Sequence, residues 1–121
     1  MSVAAYQTVD TLTADGPRLV VLLFDGAIQR LELALRALDR RDIVVFAQWL
    51  SRAHAIVEAL AEALDEARGG ELARRLAELY RFALLHLTRA LATRDPKLVT
   101  EALGVLRPLR EGFAAVAGGR P

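Results

Sequence analysis

The chain has 121 residues, 54% hydrophobic and 26% charged, with sixteen basic against fifteen acidic side chains and a formal net charge of +1. That length suits one domain with a real core, and the interspersed charges form no basic stripe of the kind a nucleic-acid binder needs. With no cysteine, disulfides, thiol nucleophiles and cysteine-ligated zinc are excluded.

In chain order, residues 1–15 are threonine-rich and non-periodic, with Tyr6 their one large side chain, and read as an N-terminal arm. This stretch has neither the basic start nor the long apolar core of a signal peptide. From Pro17, the residues Val20, Phe24, Ala27, Leu31, Ala34 and Leu38 recur at helical spacing. Asp25-Gly26 lies inside that series without shifting its phase. The alternation a hairpin requires is missing after the glycine, so the pair is a notch in one helix, costing roughly 1 kcal/mol relative to alanine. Such a cost points to a close neighbour at Gly26, and replacing it by leucine is expected to destabilise the fold by more than propensity alone.

Asp42 is the expected N-cap of a second helix, carried by Ile43, Phe46, Leu50, Ala53, Val57, Leu60 and Leu64, with Gly69-Gly70 as its stop. A third helix is expected from Glu71, with Leu72, Leu76, Leu79, Ala83, Leu87 and Ala90 on one face. Glu71 with Arg75 and Arg74 with Glu78 form its surface pairs. Asp95-Pro96 restarts the chain. The fourth helix follows Val99, Ala102, Leu106, Leu109, Phe113 and Val116, with Pro108 expected to kink it or split off its end. Four helices of about 20 residues with short links predict an all-α fold, an antiparallel four-helix bundle. It forms a single domain over 1–121, with a flexible arm at 1–15 and a frayed tail at 118–121.

Catalytic machinery is not visible. A di-iron bundle needs Glu-x-x-His on two helices, but Ser51 precedes His54 by three residues and Ala83 precedes His86 by three. The pair His54 and Glu58, one turn apart, is too small a ligand set for a metal. Arg36, Arg40, Arg75 and Arg81 lie off the apolar seams, as solvated residues do. No phosphate-binding loop or nucleophile elbow is present, so the expectation is no enzyme, no catalytic residue, no metal and no cofactor. The longest apolar run, Leu19 to Phe24, is too short to cross a bilayer, and a cytoplasmic protein without stable membrane insertion is expected. What stands out is apolar surplus: Val45, Trp49 and Ile56 on helix two, and Leu19, Leu22, Leu23 and Leu33 on helix one. It is either a broad core face or a groove for an amphipathic partner helix, with Trp49 as an anchor.

Five stretches in order carry a resemblance: "AYQ" at 5–7, "LVVLLFDGAI" at 19–28, "AHAIVEAL" at 53–60, "GGELARRLAELY" at 69–80 and "LRPLREGF" at 106–113. Over nearly its whole length the chain resembles the flagellar export chaperones, the FliS family. Leu-Phe-Asp-Gly and Gly-Gly-Glu-Leu…Leu-Tyr are its most specific parts. It departs from the family pattern at "ADGP" before the first helix, at Leu91 and at Phe113.

The resemblance implies a non-enzymatic cytoplasmic chaperone that binds the disordered C-terminal segment of flagellin, prevents premature polymerisation and delivers it to the flagellar type III export gate. Ordering such a segment on binding costs free energy and keeps the complex reversible. By the family's pattern, the groove is expected along helices two and three, on Ile56, Val57, Leu60, Leu64, Leu79, Tyr80 and Ala83. Val3, Tyr6 and Gln7 are expected to plug it and, once displaced, to contact the export gate. The same side chains could instead be core. A homodimer is left open, and the rival reading is a helical adaptor for a different secretion client.

Overall fold

The computed structural model describes Val9 and residues 12–118. Four helices follow one another: α1 (Pro17–Asp39), α2 (Ile43–Glu62), α3 (Glu66–Thr93) and α4 (Pro96–Ala117). Proline stands at the first turn of α1 and of α4, where its missing N–H costs nothing. Asp42 and Asp95 act as the expected N-caps, accepting from the backbone N–H of Val45 at 3.2 Å and of Lys97 at 2.9 Å. Asp65 caps α3 in the same way, from the N–H of Arg68 at 3.0 Å.

The short links force neighbouring helices to run antiparallel. Around the bundle, α1 packs on α2 and α4, and α3 packs on the other sides of both. Of the expected periodic positions, Val20, Phe24, Ala27, Leu31 and Ala34 from α1 and Phe46, Leu50, Ala53, Val57 and Leu60 from α2 fill the core, whereas Leu38, Ile43 and Leu64 are half-buried. In α3 the expected Leu72 and Leu79 are exposed, and Ala73 and Tyr80 take the core places. Phe24 lies at the centre of an aromatic trio, its ring centroid 5.6 Å from that of Phe113 and 6.1 Å from that of Tyr80. The helix α2 is long and apolar enough by composition to cross a membrane; in the bundle Phe46, Leu50, Ala53, Val57 and Leu60 turn inward, while Val44 stays exposed.

Two boundaries differ from the expectation. The glycine pair does not end α2, which stops at Glu62; instead it interrupts α3 after one turn. Gly70 has φ 60° and ψ −137°, a conformation open essentially to glycine alone. The extra turn exists because Asp65 supplies a cap before it. Pro108 does not split α4, which continues to Ala117. The carbonyl that loses its partner there belongs to Gly104, which has no side chain to hinder that turn's adjustment.

The segment before α1 is tied to the bundle. The N–H of Ala14 donates to the carbonyl of Ala63 at 2.9 Å, and the N–H of Asp65 donates to that of Leu12 at 2.8 Å. Val9, Leu12 and Thr13 are buried, so the end of the expected arm belongs to the core. Leu12 crosses directly over Gly69, where an added Cβ would stand 3.3 Å from the Cα of Leu12 and 2.6 Å from the Cβ of Ala73.

Candidate functional site: an apolar seam between α3 and α4

The two seams of α4 differ in chemistry. Against α1 it is closed by ion pairs: Arg110 Nε to Asp25 Oδ1 at 2.8 Å and Arg107 Nη2 to Glu32 Oε2 at 2.8 Å. Hydrogen bonds to Asp25 and Glu111 raise the pKa of Arg110 further. This gives Asp25 of the helical notch its role. Gly26 beside it accommodates the Arg30 guanidinium, which donates to the Gly26 carbonyl at 3.0 Å, and faces Ile56 of α2.

Against α3, α4 leaves an apolar cleft of about 360 Å³. Its walls are Leu72 and Leu76 from α3 and Pro108, Leu109 and Val116 from α4, and its base is formed by Val9, Leu12 and Phe113. Along the same seam a second hollow is bordered by Leu79, Phe82 and Val105. Leu72, Leu79 and Phe82 are 48%, 39% and 43% exposed, although each is large and apolar. His86 closes the far end of the seam. Its ring stacks on that of Phe82 with centroids 3.9 Å apart, its Nδ1 donates to the Phe82 carbonyl at 3.0 Å, and its Nε2 lies 3.1 Å from Glu101 Oε1 on α4. Fully burying a leucine or phenylalanine side chain contributes about 1.5–3 kcal/mol, and a large part of that gain is still available at each of the three.

The residues expected to form a groove are not gathered in one place. Val57, Leu60, Tyr80 and Ala83 are buried in the core. Burial raises the pKa of the Tyr80 phenol above its ordinary value. Ile56 is half-buried beside Gly26. Trp49 is half-buried, with the Arg52 guanidinium 5.1 Å from its ring centre. Leu64 is half-buried in the α2–α3 connection, bridged to Thr13. Only Leu79 lines the α3–α4 seam. Val3, Tyr6 and Gln7 lie outside the described residues. The expected partner of Arg74 also differs: its guanidinium reaches back to Glu71 at 2.7 Å instead of forward to Glu78.

Sequence reasoning missed Phe82, Val105 and Pro108 as lining residues. The available signal was Phe82, an aromatic residue outside the core series of the third helix. Among the described residues no group of three His, Cys, Asp or Glu side chains could hold a metal ion.

The sequence profile of the family described as flagellar protein FliS matches residues 1–120. The chain belongs to the FliS family. It is 34% identical to the flagellar secretion chaperone FliSB of Pseudomonas aeruginosa, over 86% of this chain and 82% of that protein. It is 32% identical to the flagellar secretion chaperone FliS of Salmonella typhimurium, over 88% of this chain and 79% of that one. A FliS chaperone of Vibrio cholerae is 29% identical over 93% of this chain and 85% of its own length. FliS membership makes this a flagellar chaperone fold, and chaperones are not an enzyme class.

Proposed function

We propose that this chain is a cytoplasmic export chaperone for flagellin that holds the client's disordered C-terminal segment and hands it to the flagellar type III export gate. The observation that carries the reading is the contrast between the two seams of α4. One is closed by ion pairs, while the other exposes Leu72, Leu79 and Phe82 beside a cleft. An amphipathic segment laid along the open seam buries its own apolar face against these side chains instead of against another copy of itself.

Val9 and Leu12 already occupy the base of the cleft. A client that extends to that end competes with these two side chains, and Val3, Tyr6 and Gln7 are the residues proposed to contact the gate. Ile56, Leu64 and Trp49 offer half-buried apolar surface on which a longer client could continue, whereas Val57, Leu60, Tyr80 and Ala83 support the groove from beneath.

The test is a pair of exposed substitutions, Leu79→Glu and Phe82→Glu. Each is expected to leave the melting transition nearly unchanged, since neither side chain is core. Each should weaken flagellin binding by at least about tenfold, because a client then buries a carboxylate without a partner. Unchanged affinity in both variants rejects the seam as the binding site.

A further inference from the structure

We infer that the end of the bundle carrying the α1–α2 and α3–α4 turns is a second docking surface, built for an acidic amphipathic segment of a partner protein. The antiparallel arrangement brings these two turns to the same end. Residues 36–42 and 89–97 contain six cations, Arg36, Arg40, Arg41, Arg89, Arg94 and Lys97, against three carboxylates. Two of those carboxylates, Asp42 and Asp95, are engaged as helix caps. Among the described residues none of the six cations has a side-chain hydrogen bond or ion pair. Elsewhere among the described residues Arg74, Arg75, Arg107 and Arg110 are paired with carboxylates, while the unpaired Arg18, Arg68 and Arg81 are scattered over α1 and α3.

The backbone is an independent observation. Arg41 and Arg94 both sit at φ 60°, each just past the C-terminus of a helix. Glycine or asparagine is the usual residue at such left-handed positions, because a Cβ is disfavoured there. Among the described residues the third positive-φ position, Gly70, lies at ψ −137°, outside the left-handed helical region, and is no precedent for arginine. Arginine at both turns therefore costs the fold stability and places a guanidinium on the same surface each time.

Between the two turns lies an apolar centre. Val44, 68% exposed, opens a hollow with Ile43, Ala47 and Ser51 at the start of α2, and Ser51 joins it to a second hollow bordered by Leu91. An apolar centre with an arginine rim is the anatomy of a protein interface. Guanidinium forks pair with carboxylates in two-point geometry, so the complementary partner presents glutamate or aspartate around an apolar stripe. An RNA or DNA strand would instead favour aromatic stacking platforms, and the aromatic residues nearest this surface, Trp49 and Phe46, are half-buried and buried.

The experiment compares the full-length protein with the double variant Arg41→Gly/Arg94→Gly. The probe is a labelled amphipathic helical peptide with glutamate on its polar face and leucine on its apolar face, and binding is followed by fluorescence anisotropy. The acidic peptide is expected to bind the parent and to weaken steeply as salt is raised. Its dissociation constant should rise by about tenfold or more in the double variant, which loses two charge-assisted contacts. The same variant should melt about 2–4 °C higher per substitution, since glycine relieves the left-handed strain. This combination, more stable yet weaker binding, separates docking from a structural role, and a peptide held in the α3–α4 seam would not respond to these substitutions. Equal binding to parent and variant overturns the proposal. So does tighter binding of the parent to a lysine-faced version of the peptide, to phosphatidylserine vesicles or to oligothymidylate.

Discussion

Replacing Gly69 by alanine should destabilise the bundle by about 1–3 kcal/mol, the range for forcing extra volume into a packed site. In an open helix the same exchange would stabilise by up to about 1 kcal/mol, so the sign alone is informative. The added Cβ would lie 2.6 Å from the Ala73 Cβ, 3.1 Å from Leu12 Cδ2 and 3.3 Å from Leu12 Cα. Carbon atoms prefer roughly 3.5–4.0 Å, so Ala73, which has no rotamer to change, must retreat by about an ångström. The alternative is for Leu12 to lift away, exposing a side chain now 5% accessible, at a cost of about 1.5–3 kcal/mol. Either route falls in the same range. Urea unfolding followed by circular dichroism gives the stability. Hydrogen exchange at the amides of Ala14 and Asp65, which tie the segment to Ala63 and Leu12, reports which route is taken. A Gly69→Ala variant as stable as the parent, or more so, would refute the close crossing of Leu12 over Gly69.

Two further substitutions probe the interior. Gly26→Ala brings a methyl group 3.1 Å from the mobile end of Arg30 and 3.5 Å from Ile56 Cδ1, so stability in thermal melts should rise by up to about 1 kcal/mol. Gly26→Leu must displace Ile56 and should lower it by about 1–3 kcal/mol; a stabilised leucine variant would contradict the contact. Tyr80 supplies a pH test: burial raises its phenol pKa in the folded state, so the folded protein holds that proton more tightly than the unfolded chain. Its contribution is then fully present below the unfolded tyrosine value of about 10 and is lost as pH rises beyond it. Tyr80→Phe should flatten the alkaline fall in stability measured by denaturant titration across that range, and an unchanged slope would count against the burial of the ring.

Much of this architecture was legible from spacing alone. Helix period, the caps at Asp42 and Asp95 and the notch at Asp25-Gly26 are local properties, decided within a few residues. The stop after α2 was not, because Gly69-Gly70 signals a break without saying which helix it interrupts; the cap at Asp65 decides that. The site was harder to read. A helical period marks which face of a helix is apolar, but not which neighbour each flank meets. Val57, Leu60 and Ala83 carry the same periodic signal as Leu79, yet they point to the centre while Leu79 points to the seam with α4, and Tyr80, outside the expected series, is buried in its place. The burial of Val9 and Leu12 left no trace in a stretch that has no period, because it depends on the crossing at Gly69.

The most direct measurement is calorimetric titration of the protein with flagellin from the same genome, intact and lacking its C-terminal segment. Flagellin chaperoning through an apolar seam predicts binding to the intact client with a negative heat-capacity change, lost on truncation. Equal binding to both forms, or none to either, would contradict it.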